Sequence, residues 1–434
     1  MLRKTRLMKR SAMLVLLVFG VLLGGALAQS ESVLHTFCGQ TGCADGSEPY
    51  AGLVFDQNGN LYGTTYNGGG GASSGCLSGR AGCGVVFKVT PEGSETILYS
   101  FCAKSNCTDG ELPLAGLIFD RQGDLYGTTD AGGAHGYGVV FKLTPGGKET
   151  VLYSFCTQYK DGICADGRHP SAGLVFDHKG NLYGSTRYGG AYEGGVLFRL
   201  TPKGKETVLH NFCAQVGNHC ADGAEPQGRL ILDQNENLYG TTFTGGAFGA
   251  GSGGGVVFKL TPKGKETVLY SFCAQGGNYC TDGADPYAGL TFDRKGNLYG
   301  TTSAGGAHGL GVVFKLTPKN KQTVLYSFCE QIHCTDGAIS TTGLVIDQKG
   351  NLYGTTYEGG AYEVGTVFKL TPDGKETVLY NFCAQSGCVD GAYPAAGLTS
   401  DQKGNLYGTT VGGGVYNSID CPFEGCGVVF KLTP

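Results

Sequence analysis

Four short apolar runs, punctuated by turn residues, recur along almost the whole chain. In residues 286–329, PYAGLTFDRKGNLYGTTSAGGAHGLGVVFKLTPKNKQTVLYSFC, the runs are Gly289–Asp293, Asn297–Thr302, Gly311–Thr317 and Gln322–Phe328. Arg294-Lys295-Gly296 joins the first run to the second, and Pro318-Lys319-Asn320-Lys321 joins the third to the fourth. Links this short permit only antiparallel hairpins. The second-to-third link carries a Gly-Gly pair and varies in length. Helix-like spacing of apolar residues is nearly absent, which argues against a bundle. Each unit is expected to be a four-stranded antiparallel meander.

The core Leu-Tyr-Gly begins at Leu61, Leu125, Leu182, Leu238, Leu298, Leu352 and Leu406, with spacings of 64, 57, 56, 60, 54 and 54 residues. Periods of this size mark a repeated supersecondary unit. Seven such sheets are best closed as an all-β, seven-bladed β-propeller. The first strand of each unit (LVFD, LIFD, LTFD) is apolar almost throughout, which predicts burial on both faces. A glycine precedes it at Gly52, Gly116, Gly173, Gly289, Gly343 and Gly397, as crowding near an axis demands, and blade four has Arg229 instead. The segment Glu31–Cys38 matches a fourth strand and Gly427–Pro434 a third. The N-terminal strand is therefore expected to complete the last blade and remove the open edge. A β-solenoid, the rival architecture, has no need of complementary ends.

Composition narrows the class. Glycine contributes 78 of 434 residues without a G-X-Y period, and proline only 14, so collagen is excluded. The 24 tyrosines, 22 phenylalanines and many Val-Leu runs exclude a disordered chain. Residues 1–28 read as a secretory signal: Arg3, Lys4, Arg6, Lys9 and Arg10 precede an apolar stretch from Met13 to Leu23, and Ala26-Leu27-Ala28 fits a cleavage site. An uncleaved N-terminal anchor is the alternative. The propeller is assigned to 29–434, in a secreted or periplasmic protein. No apolar tail precedes Thr433-Pro434, so no C-terminal anchor is expected. Losing the five basic residues of the signal and no acids moves the formal net charge from −4 to −9. That disfavours nucleic acid or an anionic membrane as partner. A monomer is expected.

The 18 cysteines fall into nine close pairs: Cys38/Cys43, Cys76/Cys83, Cys102/Cys107, Cys156/Cys164, Cys213/Cys220, Cys273/Cys280, Cys329/Cys334, Cys383/Cys388 and Cys421/Cys426. Behind a signal peptide this spacing predicts nine local disulfides. Rings this small stabilise little, so their expected role is to hold exposed loops in shape. A zinc reading needs two pairs to converge, and no histidine accompanies them consistently.

The recurring G-N-L-Y-G-T-T core, the Gly-Gly pair, G-V-V-F-K-L-T-P and E-T-V-L-Y-S-F resemble the GloVer tandem repeat of secreted bacterial proteins with varied C-terminal anchors. More distantly they resemble NHL-type propeller repeats. The resemblance covers essentially the whole mature chain. It implies a propeller-like surface protein and supplies no catalytic residues.

The chain carries no G-x-S-x-G, H-E-x-x-H, P-loop or EF-hand motif. Candidate residues therefore come from the face that bears the variable, cysteine-paired loops. Asp45, Asp109, Asp166, Asp222, Asp282, Asp336 and Asp390 each precede a glycine after a cysteine pair. They either ring the channel mouth and hold calcium, the one cofactor the sequence raises, or form Asx turns. His135, Tyr192, Phe248, His308 and Tyr362 follow the Gly-Gly pair and either stack on sugars or pack over glycine. The long loops of blades one and seven present Arg80, Tyr416, Asp420, Phe423 and Glu424, side by side if the ring closes. Asp56, Asp120, Asp177, Asp233, Asp293, Asp347 and Asp401 read as hairpin-turn formers. The expected function is binding of a carbohydrate or a cell-surface macromolecule. The alternatives are a metal-assisted extracellular enzyme (lyase, lactonase or hydrolase) using the Asp ring and Arg229, or a structural spacer.

Overall fold

The computed structural model describes residues 30–70, 76, 82–214, 220–248, 254–276, 279–414, 421 and 425–434. The expected signal at 1–28 lies outside the described residues. Seven four-stranded antiparallel sheets form the ring. Blade 1 comprises Val54–Phe55, Leu61–Thr65, Val85–Val89 and Glu95–Ser100, and each later blade repeats this plan. Blade 7 takes Thr399–Ser400, Leu406–Thr410 and Val428–Thr433 from the C-terminal end and Ser30–Thr36 from the N-terminal end. Ser30 pairs with Thr433 and Thr36 with Val428. The ring is closed as the complementary ends predicted.

The core lies between blades. Each of seven apolar clusters draws on two neighbours. At every seam, the phenylalanine after one blade's fourth strand meets the third-strand phenylalanine of the next, edge to face. Phe37 meets Phe87 at 5.0 Å and Phe101 meets Phe141 at 5.1 Å. Such pairs add about 0.5–1.5 kcal/mol beyond their buried area. Second-strand glycines make room for these rings: a Cβ on Gly127 would lie 2.7 Å from Phe141 Cζ.

Two expectations are corrected. The first concerns the first strand, which is short and half-buried at Val54–Phe55, although Leu53 before it is buried. The most deeply buried strand is the third, where Val85, Val86, Phe87 and Val89 are fully covered. The first strand pairs on one side only and borders the axis, whereas the third has a partner on each side and a blade above and below.

The second concerns the disulfides. All nine predicted bridges are present, and no cysteine is free: Cys38–Cys43, Cys76–Cys83, Cys102–Cys107, Cys156–Cys164, Cys213–Cys220, Cys273–Cys280, Cys329–Cys334, Cys383–Cys388 and Cys421–Cys426. They do more than shape exposed loops. Cys43, Cys107, Cys164 and Cys388 are buried, and Cys280 and Cys334 are half-buried. Cys280, Cys334 and Cys388 are left-handed, with φ of 55°, 51° and 50°. The cause is the tight turn into the following Asp-Gly, where the amides of Gly283, Gly337 and Gly391 donate to the carbonyls of Cys280, Cys334 and Cys388 at 2.8–2.9 Å. These cysteines therefore belong to the frame between blades, not to its surface alone.

Two pairs converge, Cys38–Cys43 with Cys421–Cys426. They do so as disulfides, so no thiolate remains for zinc. This many bridges fit an oxidising compartment. No helix among the described residues is long and apolar enough to cross a membrane.

The glycines before the first strands do crowd one another. A Cβ on Gly52 would approach the Gly397 carbonyl to 3.2 Å, and one on Gly116 the Gly52 carbonyl to 3.3 Å. Arg229 lies against Gly173 and Gly289 in the same ring. Burial lowers its pKa, and no acidic partner contributes to the shift.

Candidate functional site

The inter-blade loops and the Gly-Gly links share one face and interlock. The amides of Gly69, Gly133, Gly190, Gly246, Gly306, Gly360 and Gly414 donate to the carbonyls of Cys43, Cys107, Cys164, Cys220, Cys280, Cys334 and Cys388 in turn. The second cysteine of each inter-blade bridge is thus a backbone acceptor for two loops, a role its spacing did not reveal. The loop aspartates organise the rest of this frame. Asp109 accepts the Tyr99 hydroxyl at 2.7 Å and the amides of Ala103 and Lys104 at 2.9 and 3.2 Å. Asp166, Asp282, Asp336 and Asp390 repeat the pattern, and Asp45 and Asp222 keep its amide half. Each carboxylate is engaged by its own loop. Among the described residues, no cluster of metal-ligating groups joins two of the seven. The glycine after each adopts positive φ, from Gly167 at 89° to Gly283 at 102°.

The hairpin aspartates on the opposite face close their turns. Asp56 accepts the amides of Asn58 and Asn60, the Asn60 side chain and the Tyr62 hydroxyl. Burial opposes its ionisation, but these bonds outweigh it and hold Asp56 below its ordinary pKa. A cleft on that face, between blades 5 and 6, is lined by Lys295, Tyr299, Asp347 and Lys349. Its chemistry recurs in most blades, so it distinguishes none of them.

The five loop residues expected to bind remain apart. His135, Tyr192, Phe248, His308 and Tyr362 are exposed at separate loop tips, the three aromatics by 45%, 54% and 50%. Preceding amides tie the tips to the outer strand of each blade, as Ala191 to Asn211 and Ala361 to Asn381. His308 lies 3.3 Å from Glu330. No ring contact joins any two of the five. Arg80, Tyr416, Asp420, Phe423 and Glu424 lie outside the described residues. Their anchoring bridges sit over successive seams, Cys421–Cys426 beside Cys38–Cys43, and Cys83 beside Cys102 and Cys107.

Asymmetry concentrates nearer the axis, at two positions per blade that sequence reasoning missed. The first follows the Asp-Gly turn by two residues: Glu48, Leu112, His169, Glu225, Asp285, Ile339 and Tyr393. All seven are left-handed, with φ of 56–59°. A non-glycine residue in that region costs roughly 1–2 kcal/mol, and such strain collects at functional sites. Here the amide of each donates to the preceding blade, as Leu112 to Cys83 and His169 to Tyr137. The second position directly follows the second strand: Tyr66, Asp130, Arg187, Phe243, Ser303, Tyr357 and Val411. Its amide donates to the carbonyl of the first position in every blade, at 3.0–3.1 Å. The backbone is sevenfold while the side chains differ.

These side chains meet across blades. His169 Nδ1 is 3.3 Å from Asp130 Oδ2, and Arg187 donates to Glu225 at 3.0 Å. Arg187 and Arg168 flank the Tyr188 ring at 4.9 and 5.2 Å. Tyr357 meets Tyr393 at 5.3 Å and Phe243 meets Tyr287 at 5.9 Å. Burial raises the Tyr287 pKa, with further influence from Arg187 and Asp130. These two positions place a ring of aromatic and charged side chains on the loop face. The sequence signal was the changing residue after each Thr-Thr or Ser-Thr pair, in a repeat otherwise nearly constant.

The Gloeobacter/Verrucomicrobia repeat matches residues 25–219, 75–283 and 278–434. The chain belongs to that family. No curated protein matches the sequence. Among solved structures, a streptogramin B lyase aligns with a TM-score of 0.55 at 12% identity, covering 93% of this chain and 97% of that one. A puromycin hydrolase aligns with a TM-score of 0.50 at 13% identity, covering 84% of this chain and 50% of that one. At such identities the likeness establishes the propeller fold alone.

Proposed function

We propose that this Gloeobacter/Verrucomicrobia repeat protein is a secreted binding module whose loop face takes a carbohydrate of a cell surface or matrix. The observation that carries this reading is the ring of seven variable residue pairs on an invariant backbone. Tyr66, Phe243, Tyr357 and Tyr393, with Tyr188 and Tyr287 beside them, offer flat faces to sugar C–H groups. Asp130, Arg187 and Glu225 offer charged partners for hydroxyls. Pockets that combine aromatic walls with a few convergent polar groups are the usual ligand sites. The exposed Tyr192, Phe248 and Tyr362 extend the same face outward and suit a longer glycan. Calcium at the loop aspartates is a subsidiary proposal, read from chelator sensitivity.

A glycan array probed with the 29–434 chain, with and without calcium, tests this. Selective binding is expected, lost in Tyr188→Ala and Tyr287→Ala and only weakened in Tyr192→Ala. Absence of binding to any glycan, or binding indifferent to the Tyr188 and Tyr287 variants, would overturn it.

A second reading, an extracellular lyase or hydrolase, is favoured by the His169–Asp130 pair beside Arg187. An imidazole oriented by a carboxylate is a fit general base. Turnover by the wild type that is abolished in His169→Gln would select this reading.

A further inference from the structure

The seam where the ring closes holds a polar cluster that this reading does not use. In five blades the fifth residue of the outer strand is a tyrosine: Tyr99, Tyr153, Tyr270, Tyr326 or Tyr380. Its hydroxyl donates to the loop aspartate at 2.6–2.7 Å. Two blades carry histidine instead, His35 and His210. His35 Nε2 lies 3.6 Å from Glu95 Oε2 and 3.9 Å from Asp45 Oδ2. Both distances exceed a hydrogen bond. The three candidate donor atoms all lie within 4.8 Å of one another.

The cluster is buried and incompletely satisfied. The side chains of Asp45 and Glu95 are 2% and 6% exposed and that of His35 16%. His35 Nε2 and Glu95 Oε1 are buried without a hydrogen-bond partner. Buried polar groups left unmet in this way are costly, and a ligand that satisfies them is favoured. Asp45 is oriented by the amides of Gly39 and Gln40 at 2.9 and 3.3 Å, which leave it lone pairs to spare.

We propose that His35, Asp45 and Glu95 bind one divalent transition-metal ion of the zinc or cobalt kind, with a fourth position open to water. One imidazole and two carboxylates form a mixed nitrogen and oxygen set suited to zinc. The imidazole disfavours calcium and magnesium, which take oxygen. Bonds of about 2.0–2.1 Å in tetrahedral geometry place ligand atoms about 3.3 Å apart, so small side-chain shifts complete the shell. The three ligands come from the N-terminal strand, the first inter-blade loop and the outer strand of blade 1. The ion would tie the closing strand to the blade beside it.

The repeat supplies its own controls. Tyrosine already occupies the His35 position in five blades, and Gln322 occupies the Glu95 position in blade 5. His35→Tyr and Glu95→Gln therefore suit the fold. The disulfide-intact 29–434 chain is titrated with Zn²⁺ by calorimetry and with Co²⁺ by visible absorption. One tight equivalent with a tetrahedral cobalt spectrum is expected. His35→Tyr abolishes it. Glu95→Gln weakens it at least about tenfold, the low end of what losing even an outer partner of a metal site costs. His210→Tyr leaves it in place. No saturable uptake, an equivalent that survives His35→Tyr, or one that is equally lost in His210→Tyr would each overturn the assignment.

Discussion

Replacing Glu206 by glutamine is expected to stabilise the protein above neutral pH and to do nothing in acid. Glu206 opens the outer strand of blade 3, and burial, followed by the nearby Asp166 carboxylate, pushes its pKa from 4.5 up to about 7. Its Oε1 is buried without a hydrogen-bond partner. A displacement of that size corresponds to about 3 kcal/mol. The carboxyl is part-exposed, and solvent screening reduces the figure to about 1–2 kcal/mol. Because the folded pKa lies above the unfolded one, the stabilising proton is held in full below pH 4.5 and is lost as pH rises through about 7. Blade 5 shows what glutamine does there. Gln322 Nε2 donates to the Asp282 carbonyl at 3.0 Å, and its Oε1 accepts from Gln275 at 3.4 Å. Urea unfolding followed by tyrosine fluorescence, which no tryptophan obscures, should show the variant and the wild type together near pH 4 and separated by about 1–2 kcal/mol above about pH 8. A gap that is constant with pH, or that widens toward acid, would refute the reasoning.

Three further outcomes are expected. Gly127→Ala sets a methyl group 2.7 Å from Phe141 and 2.9 Å from Leu117, and should cost about 1–3 kcal/mol in denaturant melts. Asp109→Asn weakens the acceptor for Tyr99, Ala103 and Lys104. It should cost about 1–3 kcal/mol, with faster amide exchange confined to the Cys102–Cys107 loop. Replacing both Cys102 and Cys107 by serine opens a bridge spanning a sequence separation of 5. It should cost only about 2 kcal/mol and leave the circular dichroism of the sheet intact.

The frame was legible because it repeats. Short PKGK-like links and the alternation in GVVFKLTP fix hairpins locally, and the mismatched ends at Ser30 and Thr433 imply closure without any knowledge of side-chain contacts. Cysteine spacing likewise gave the bridges, but not the burial of Cys388 or the backbone role of Cys280 and Cys334, which depend on a Gly-Gly link folding back over them. An apolar run such as LVFD predicts burial on both faces because it does not reveal that one of its edges faces the axis. The variable side chains of the loop face were harder still. Residues such as Arg187 and Glu225 belong to different repeat units and meet only once the blades are joined. His35 was visible as a departure from tyrosine, but its neighbour Glu95 belongs to the next blade.

The join between Ser30 and Thr433 also sets an order of events. The first strand of the ring to be synthesised must wait for the ring's last, because its partner in blade 7 ends at Thr433. Thr409 Oγ1 similarly reaches the Pro49 carbonyl, 360 residues away in sequence. Contacts of such separation are slow to form. Six blades can assemble from local hairpins as the chain emerges, leaving an open arc with two raw ends. A chain truncated anywhere before its final strand is trapped as that arc, with unsatisfied strand edges that invite pairing with other chains. The finished ring thus acts as a proof that every blade is present: only then do Ser30–Thr36 and Val428–Thr433 meet in one sheet.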